Sequence, residues 1–384
     1  MSETHNADSI GNAAEVRRII FAGGGTGGHI MPGLALADAF MRDTPGGEVL
    51  FIGGDYGLEK TLIPANGYQL ETLPDARLKG KLGALASAAK LTRALFRARR
   101  IIADFKPDAV VGLGGYASFA PVLAASYKHI PVYLMEQNAI PGRVTRMLSR
   151  FATAIFNQYD CAAEYLPGSV RDKCRAIGNP MRQSIIDAAV DCPRTFPSDR
   201  VPTLLAMGGS QGARAVNQLI IRSLKPIKSR IGEFRLIHIA GNDDVSIVQS
   251  SADTLGIEAI VVPFTDQIAD FYRQADLVIA RSGATSISEI AIFGIPSIFI
   301  PLPTAADNHQ DANARILSRL AAAVRIRQPE ATPIRLADAV SNLLTRRGLW
   351  ELMSKGMKSF SRPDAAARWL NIVKNGQAVC RVAS

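Results

Sequence analysis

Residues 21–33 read FAGGGTGGHIMPG, an apolar start followed by five glycines, one threonine and a lone histidine, His29. A strand feeding a glycine turn into a helix leaves unpaired backbone N–H groups and the positive end of the helix dipole facing one spot, where the missing Cβ atoms let a ligand come close. Such a spot favours an anion. Gly23, Gly25 and Gly28 satisfy the G-x-G-x-x-G spacing of dinucleotide sites, and Asp55 follows a second apolar run, EVLFIGGD. The same glycines imitate a P-loop, but His29 and Ile30 stand where a nucleotide-hydrolysing loop needs Lys and Ser or Thr. A second glycine turn lies in TLLAMGGSQGARAVNQLI, residues 203–220. One anion-binding turn per half weighs against a dehydrogenase, which needs one in all. It suits group transfer from an activated phosphate donor.

These turns need strands and helices to hold them. RRIIFA, EVLFIG, DAVVGLG, PVYLME and ATAIFN alternate with segments of 3.6-residue periodicity, and after a Pro-bearing, charged interval at 191–202 the pattern restarts with LIHIAG, AIVVPF, DLVIAR and PSIFIP. Strand, helix, strand repeats build a parallel sheet covered on both faces. The spacing predicts two tandem doubly wound, Rossmann-like α/β domains, with interval 191–202 as the linker and a ligand cleft where the carboxyl ends of the two sheets face each other.

Composition agrees with this. The chain has 384 residues, 47% hydrophobic and 20% charged, enough for two domains. Residues 1–16 lack the apolar core of a signal peptide, and no window offers some twenty uninterrupted apolar residues, so a cytosolic protein is expected. Cys161, Cys174, Cys192 and Cys380 are scattered, which predicts free thiols and neither zinc nor a disulfide framework. A net charge of +10 asks for an acidic partner: nucleotide, phosphate, anionic lipid or nucleic acid.

Seven stretches in order, GGTGGHIMPG (24–33), GGYAS (114–118), EQNAIPG (136–142), GNPMR (178–182), GGSQGARAVN (208–217), RSGATSISEI (281–290) and DNHQDANA (307–314), resemble the successive motifs of the N-acetylglucosaminyltransferases of peptidoglycan synthesis. Those enzymes move GlcNAc from UDP-GlcNAc onto undecaprenyl-pyrophosphoryl-muramyl-pentapeptide to make lipid II. The resemblance implies the two-domain GT-B fold, with an acceptor and membrane-associated domain at 17–181, a UDP-GlcNAc-binding domain at 182–361, and a helix at 362–376 packing back on the first domain. It implies no cofactor and no nucleic-acid partner. It places the chain peripherally on the cytoplasmic face of the bacterial inner membrane, with cell-wall synthesis and division proteins as further partners. Where the family commonly has His before EQN, this chain has Met135. A soluble UDP- or TDP-sugar transferase, a UDP-sugar epimerase and a nucleotide-binding regulatory module are the other readings of the same frame.

By the same resemblance Thr26, Gly27, Gly28, Asn138, Arg182, Ser210, Thr265, Gln310 and the run Ala284, Thr285, Ser286, Ile287, Ser288 and Glu289 contact the donor, while Gly115, Tyr116 and Ser118 position the acceptor. Glu289 falls one turn into a helix, where a carboxylate can accept both ribose hydroxyls. Ser210 with its neighbouring N–H groups, and Arg182, meet the diphosphate as charge grows on it. The chain has no Asp-x-Asp pair, the usual metal-binding device of the other major transferase fold, so helix N-termini and Arg182 are expected to serve without a required metal. An inverting transfer needs a base for the acceptor hydroxyl, and an imidazole suits that work near neutrality. His29 fits this role, or that of a hydrogen-bond donor to phosphate or water, and Glu136 is the second catalytic candidate. At 100° per residue Lys90, Arg93, Arg97 and Arg100 share one arc of a helix over 82–105, with Leu91, Leu95, Ala98 and Ile102 on another. This stripe is either a solvated face or a dock for an anionic membrane surface.

Overall fold

A computed structural model of the chain describes residues 16–55, 57–74, 84–208 and 213–382, with 84–88 and 376–382 as backbone alone. The first half runs β1 (Arg18–Gly23), α1 (Gly27–Asp43), β2 (Glu48–Gly54), α2 (Glu59–Ala65), β3 (Gln69–Leu73), α3 (Ala84–Phe105), β4 (Ala109–Gly114), α4 (Phe119–Tyr127), β5 (Val132–Glu136), α5 (Arg143–Leu148), β6 (Ala154–Asn157) and β7 (Cys174–Ala176). The second runs α6 (Gln183–Val190), β8 (Thr203–Met207), α7 (Arg214–Ile231), β9 (Arg235–Ile239), α8 (Val245–Thr254), β10 (Ala259–Val262), α9 (Ile268–Gln274), β11 (Leu277–Ala280), α10 (Ala284–Phe293), β12 (Ser297–Phe299), α11 (His309–Arg319), β13 (Ala323–Arg325), α12 (Pro333–Thr345), α13 (Arg347–Phe360) and α14 (Ala365–Val382).

Each half is one all-parallel sheet, in the orders β3-β2-β1-β4-β5-β6-β7 and β10-β9-β8-β11-β12-β13. Alternate side chains of a strand serve opposite faces. In β1, Ile19 and Phe21 pack with α1, while Ile20 and Ala22 pack with α3 and α4. In β8, Leu204 and Ala206 join a core with α7 and α12, and Leu205 and Met207 join one with α10 and α11. Burial on both faces is why these strands read as unbroken apolar runs. The two-domain GT-B architecture expected from the sequence is the observed one. The strand order reverses between β1 and β4 and again between β8 and β11, the two places where open parallel sheets leave a crevice at their carboxyl ends.

Three strands were not foreseen. β3, β7 and β13 are edge strands, and β3 and β7 carry exposed residues that hide them from a hydrophobicity reading. The interval 191–202 also differs from its expected role as linker. Ile185 and Ala189 of α6 are already buried in the second half, and Arg194 donates to the carbonyls of Phe293 at 3.0 Å and Ala275 at 2.7 Å. Ile177 packs in the first half's core and Ile185 in the second's, and beyond Phe360, which packs with the second, Trp369 and Val373 are back in the first. There α14 lies on α1, its Trp369 fully buried with its ring 5.9 Å from that of Phe21.

Candidate active site

His29 sits in the first turn of α1. Its Nδ1 is 3.1 Å from the carbonyl of Gly24 and 3.4 Å from the Thr26 hydroxyl. A carbonyl oxygen only accepts, so Nδ1 carries the proton and the neutral ring keeps its lone pair on Nε2. Burial holds the imidazole pKa below its usual value, opposed by the Gly24 carbonyl and the charge of Glu59. The ring lies against the turn after β4. A Cβ on Gly114 (φ +102°) would stand 3.1 Å from Nε2, and one on Gly115 (φ +74°) 2.8 Å from the Gly24 carbonyl oxygen, so this close approach needs both glycines. Tyr116 is exposed beside them, whereas Ser118 is buried and donates its hydroxyl to the Gly115 carbonyl at 2.8 Å. Thr26 and Gly28 are exposed and Gly27 is half-buried, as suits a loop meant to meet a ligand.

Glu136 ends β5 in the interior. One oxygen accepts the N–H of Asn138 at 3.0 Å and the other that of Gly142 at 2.9 Å. Burial pushes this carboxyl up while the N–H donors pull it down. Both oxygens hold the 136–142 loop in shape. Met135, where the family commonly has His, is buried with Tyr133 and Phe156 and is a packing residue.

On the facing sheet, α10 begins after Gly283 at the end of β11. Glu289 lies one turn in, almost buried, its Oε1 3.7 Å from Nη2 of Arg182 and its Oε2 accepting the hydroxyl of Tyr272 at 3.3 Å. Burial raises the Glu289 pKa, and Arg182 opposes it. Thr285 and Ser286 are half-buried, and Ala284 and Ser288 are buried. Ser288 accepts from Gln158 Nε2 at 2.9 Å, a bond between the two halves. Ile287 is a full member of the core, so only its backbone can meet a ligand. Thr265 accepts the Gln267 N–H at 3.0 Å, and Gln310 accepts that of Leu302 at 3.0 Å. Ser210 lies outside the described residues. α1 and α10 are in contact, so the helix after the first glycine turn meets the helix that follows β11.

Tyr272, Gln158 and Glu59 were missed from the sequence. A signal existed only for Glu59, which follows the glycine-rich GGDYGLE; nothing local marks the other two. Among the described residues no group of three or more His, Cys, Asp or Glu could hold a metal ion.

Residues 19–157 match the glycosyltransferase family 28 N-terminal domain and residues 203–369 its C-terminal domain. The chain is 38% identical over 355 residues, 91% of its own length and 96% of the relative's, to the UDP-N-acetylglucosamine--N-acetylmuramyl-(pentapeptide) pyrophosphoryl-undecaprenol N-acetylglucosamine transferase of Geobacter metallireducens. To the enzyme of the same name from Trichlorobacter lovleyi it is 36% identical over 382 residues, covering 94% of this chain and 99% of that one. The crystal structure of Acinetobacter baumannii MurG superposes with a TM-score of 0.77 at 28% identity, over 94% of this chain and 99% of that one. A UDP-GlcNAc 2-epimerase from Neisseria meningitidis shares the fold alone, with a TM-score of 0.64 at 14% identity, over 93% and 99% of the two chains. Both family 28 domains and 36–38% identity over nearly the full length leave one assignment: the chain belongs to the family of undecaprenol-linked muramyl-pentapeptide N-acetylglucosamine transferases.

Proposed function

We infer that this chain moves GlcNAc from UDP-GlcNAc to the 4-hydroxyl of the muramyl sugar of undecaprenyl-pyrophosphoryl-MurNAc-pentapeptide, turning lipid I into lipid II. The observation that carries the mechanism is the bond from His29 Nδ1 to the Gly24 carbonyl, which leaves Nε2 able to take a proton. The acceptor hydroxyl gives its proton to Nε2, its oxygen bonds to C1 of GlcNAc from the face opposite the diphosphate, and the C1–O bond breaks with its electron pair leaving on UDP. One displacement inverts C1. Arg182 and the N–H groups of the second glycine turn, with Ser210, take up the charge on the leaving diphosphate. Because the chain has no Asp-x-Asp pair, this set acts without a required metal.

Glu289 accepts the ribose hydroxyls, exchanging its contacts with Tyr272 and Arg182 for them. Thr26, Gly27, Gly28, Thr265 and the first turn of α10 line the donor's path, and Asn138 and Gln310 face the sugar. Gly115 and Tyr116 guide the acceptor. Glu136 shapes the loop that presents Asn138. The acceptor is lipid-linked, and no helix among the described residues is long and apolar enough to cross a membrane. The enzyme therefore works peripherally at the cytoplasmic face of the inner membrane, with α3 as the docking element: Lys90, Arg93, Arg97 and Arg100 are exposed, and Phe96 beside them is 68% exposed.

The test is labelled UDP-GlcNAc incubated with and without lipid-linked muramyl-pentapeptide. Label should enter lipid only when the acceptor is present, and EDTA should not stop it. Free GlcNAc or ManNAc formed without acceptor would overturn the reading, and loss of turnover that Mg²⁺ or Mn²⁺ restores would overturn its metal independence.

A further inference from the structure

Glu59 opens α2 with no solvent exposure, and among the described residues no Lys, Arg or His pairs with it as a salt bridge. A carboxylate buried without a cation is costly unless N–H donors surround it. Two do: Oε2 accepts the N–H of Gly25 at 2.9 Å, and Oε1 that of Gly54 at 3.0 Å. The backbone is shaped around the group, since a Cβ on Gly24 would stand 2.5 Å from Oε1 and one on Gly57 2.0 Å from Oε2. The Gly25 N–H belongs to the same peptide unit as the Gly24 carbonyl, and that carbonyl is the one His29 Nδ1 donates to. The peptide is trans, so its N–H and C=O point opposite ways and the carboxylate and the imidazole hold its two edges.

We propose that Glu59 is a positioning residue for the transfer, acting on His29 through the Gly24–Gly25 peptide as a carboxylate acts on a catalytic histidine when the two touch directly. Hydrogen bonds in a chain polarise one another, so the anion on the N–H makes the carbonyl a stronger acceptor for Nδ1–H. The ring is thereby fixed with Nε2 unprotonated, and the imidazolium formed when Nε2 takes the proton is stabilised from behind. Glu59, from α2, is the charged group acting on the ring, and it favours the imidazolium. The Gly114–Gly115 turn and the ring's own loop contribute backbone groups and the Thr26 hydroxyl. The inference rests on His29 being the proton acceptor.

Glu59→Gln keeps the shape but sets an NH₂ against one of two N–H donors and removes the charge. Turnover should fall tenfold or more while the KM for UDP-GlcNAc rises at most a few fold, because Arg182, Glu289 and the first turn of α10 still hold the donor from the second half. The acid limb of the kcat profile should move to lower pH, and so should the His29 imidazole titration followed by NMR, its signal assigned by its loss in His29→Gln. Glu59→Asp keeps the charge and should leave both near their parental pH while losing part of kcat. In a His29→Gln background Glu59→Gln should cost nothing further. Turnover within twofold of the parent with an unmoved His29 titration would overturn the proposal, as would a loss of kcat that is as large without His29 as with it. If His29→Gln itself retains turnover, the base assignment fails, and the titration alone then decides whether Glu59 acts on the ring. Should Glu59→Gln fail to fold, Glu59→Asp carries the test: an acid limb moved as far as removal of the charge would move it counts against the proposal.

Discussion

Asn313 donates to the side-chain oxygen of Asn138 at 3.1 Å, joining α11 of the second sheet to the loop after β5 of the first. The same amide accepts the N–H of Ala139 at 2.9 Å and donates to the Ser282 carbonyl at 3.1 Å, so it is fully used and wholly buried. Gln158 on Ser288 and Arg146 on Asp307 at 2.7 Å add polar links between the halves, beside the tilted ring contact of Phe360 with Tyr159. Polar links of this kind permit relative motion. Asn313→Ala strands the Ala139 N–H, at a cost of about 1–3 kcal/mol for a buried unpaired group. The expected outcome is a lower melting temperature and roughly tenfold less kcat/KM, with affinity for UDP alone changed less.

Replacing His29 by Gln retains a hydrogen-bonding side chain that cannot take a proton. Turnover should fall about 10²-fold or more with donor binding little altered. In the parent, burial holds the imidazole below its usual pKa, so kcat should stay level from neutrality downward and drop only once the pH passes that lowered value. A retained acid limb in the variant would assign the limb to another group.

Glu289→Ala should weaken UDP binding by about 2 kcal/mol, the typical loss for a charged hydrogen-bonding partner. Calorimetry with 2′-deoxy-UDP checks the contact itself, because the deoxy penalty should vanish in the variant. Equal penalties in both proteins would move the ribose contact elsewhere.

His238 makes a stability prediction. Its Nε2 lies 2.9 Å from the side-chain oxygen of Asn217, its Nδ1 is buried without a partner, and burial pulls its pKa down to about 4. A proton that the unfolded chain binds near pH 6.5 is refused by the fold until about pH 4, so stability is lost as the pH falls through that window, by on the order of 3 kcal/mol. His238→Gln keeps a donor for Asn217 and has nothing to titrate. Urea midpoints measured from pH 7 to pH 4 should slope less steeply for it than for the parent.

The basic stripe of α3 is checked with vesicles. Arg97 pairs with Glu71 at 3.2 Å and Arg100 with Asp104 at 3.8 Å, which trims the charge on offer. Changing Lys90, Arg93, Arg97 and Arg100 to Gln should remove salt-sensitive binding to anionic vesicles, at about 1 kcal/mol per charge, yet spare transfer to a short-chain soluble acceptor. Unchanged vesicle binding would mark the stripe as a solvated face.

Central strands and the glycine turn after β1 were legible because burial on both faces and a glycine-led turn write themselves into local sequence. The edge strand β7 was not, since its CRA carries too little apolar character to stand out. At the site, position was easier to read than role. Glu136 and Ser118 fall where the motifs put them, but their polar atoms serve their own loops, and only coordinates reveal what a carboxylate or hydroxyl accepts or donates. Glu59 closes the glycine-rich GGDYGLE, but its role escaped because its partner Gly25 lies 34 residues earlier.

The return of α14 to the first sheet also orders the protein's biogenesis. Domains generally fold as they emerge from the ribosome, N-terminal first. Here the face of the first sheet bearing Phe21 is closed by Trp369, Leu370 and Val373, which are synthesised after the whole second half. The first half must therefore wait, partly uncovered, while the second is made. A chain released before residue 369 would keep that apolar face open, which makes the last helix a seal on complete translation as well as a piece of the core.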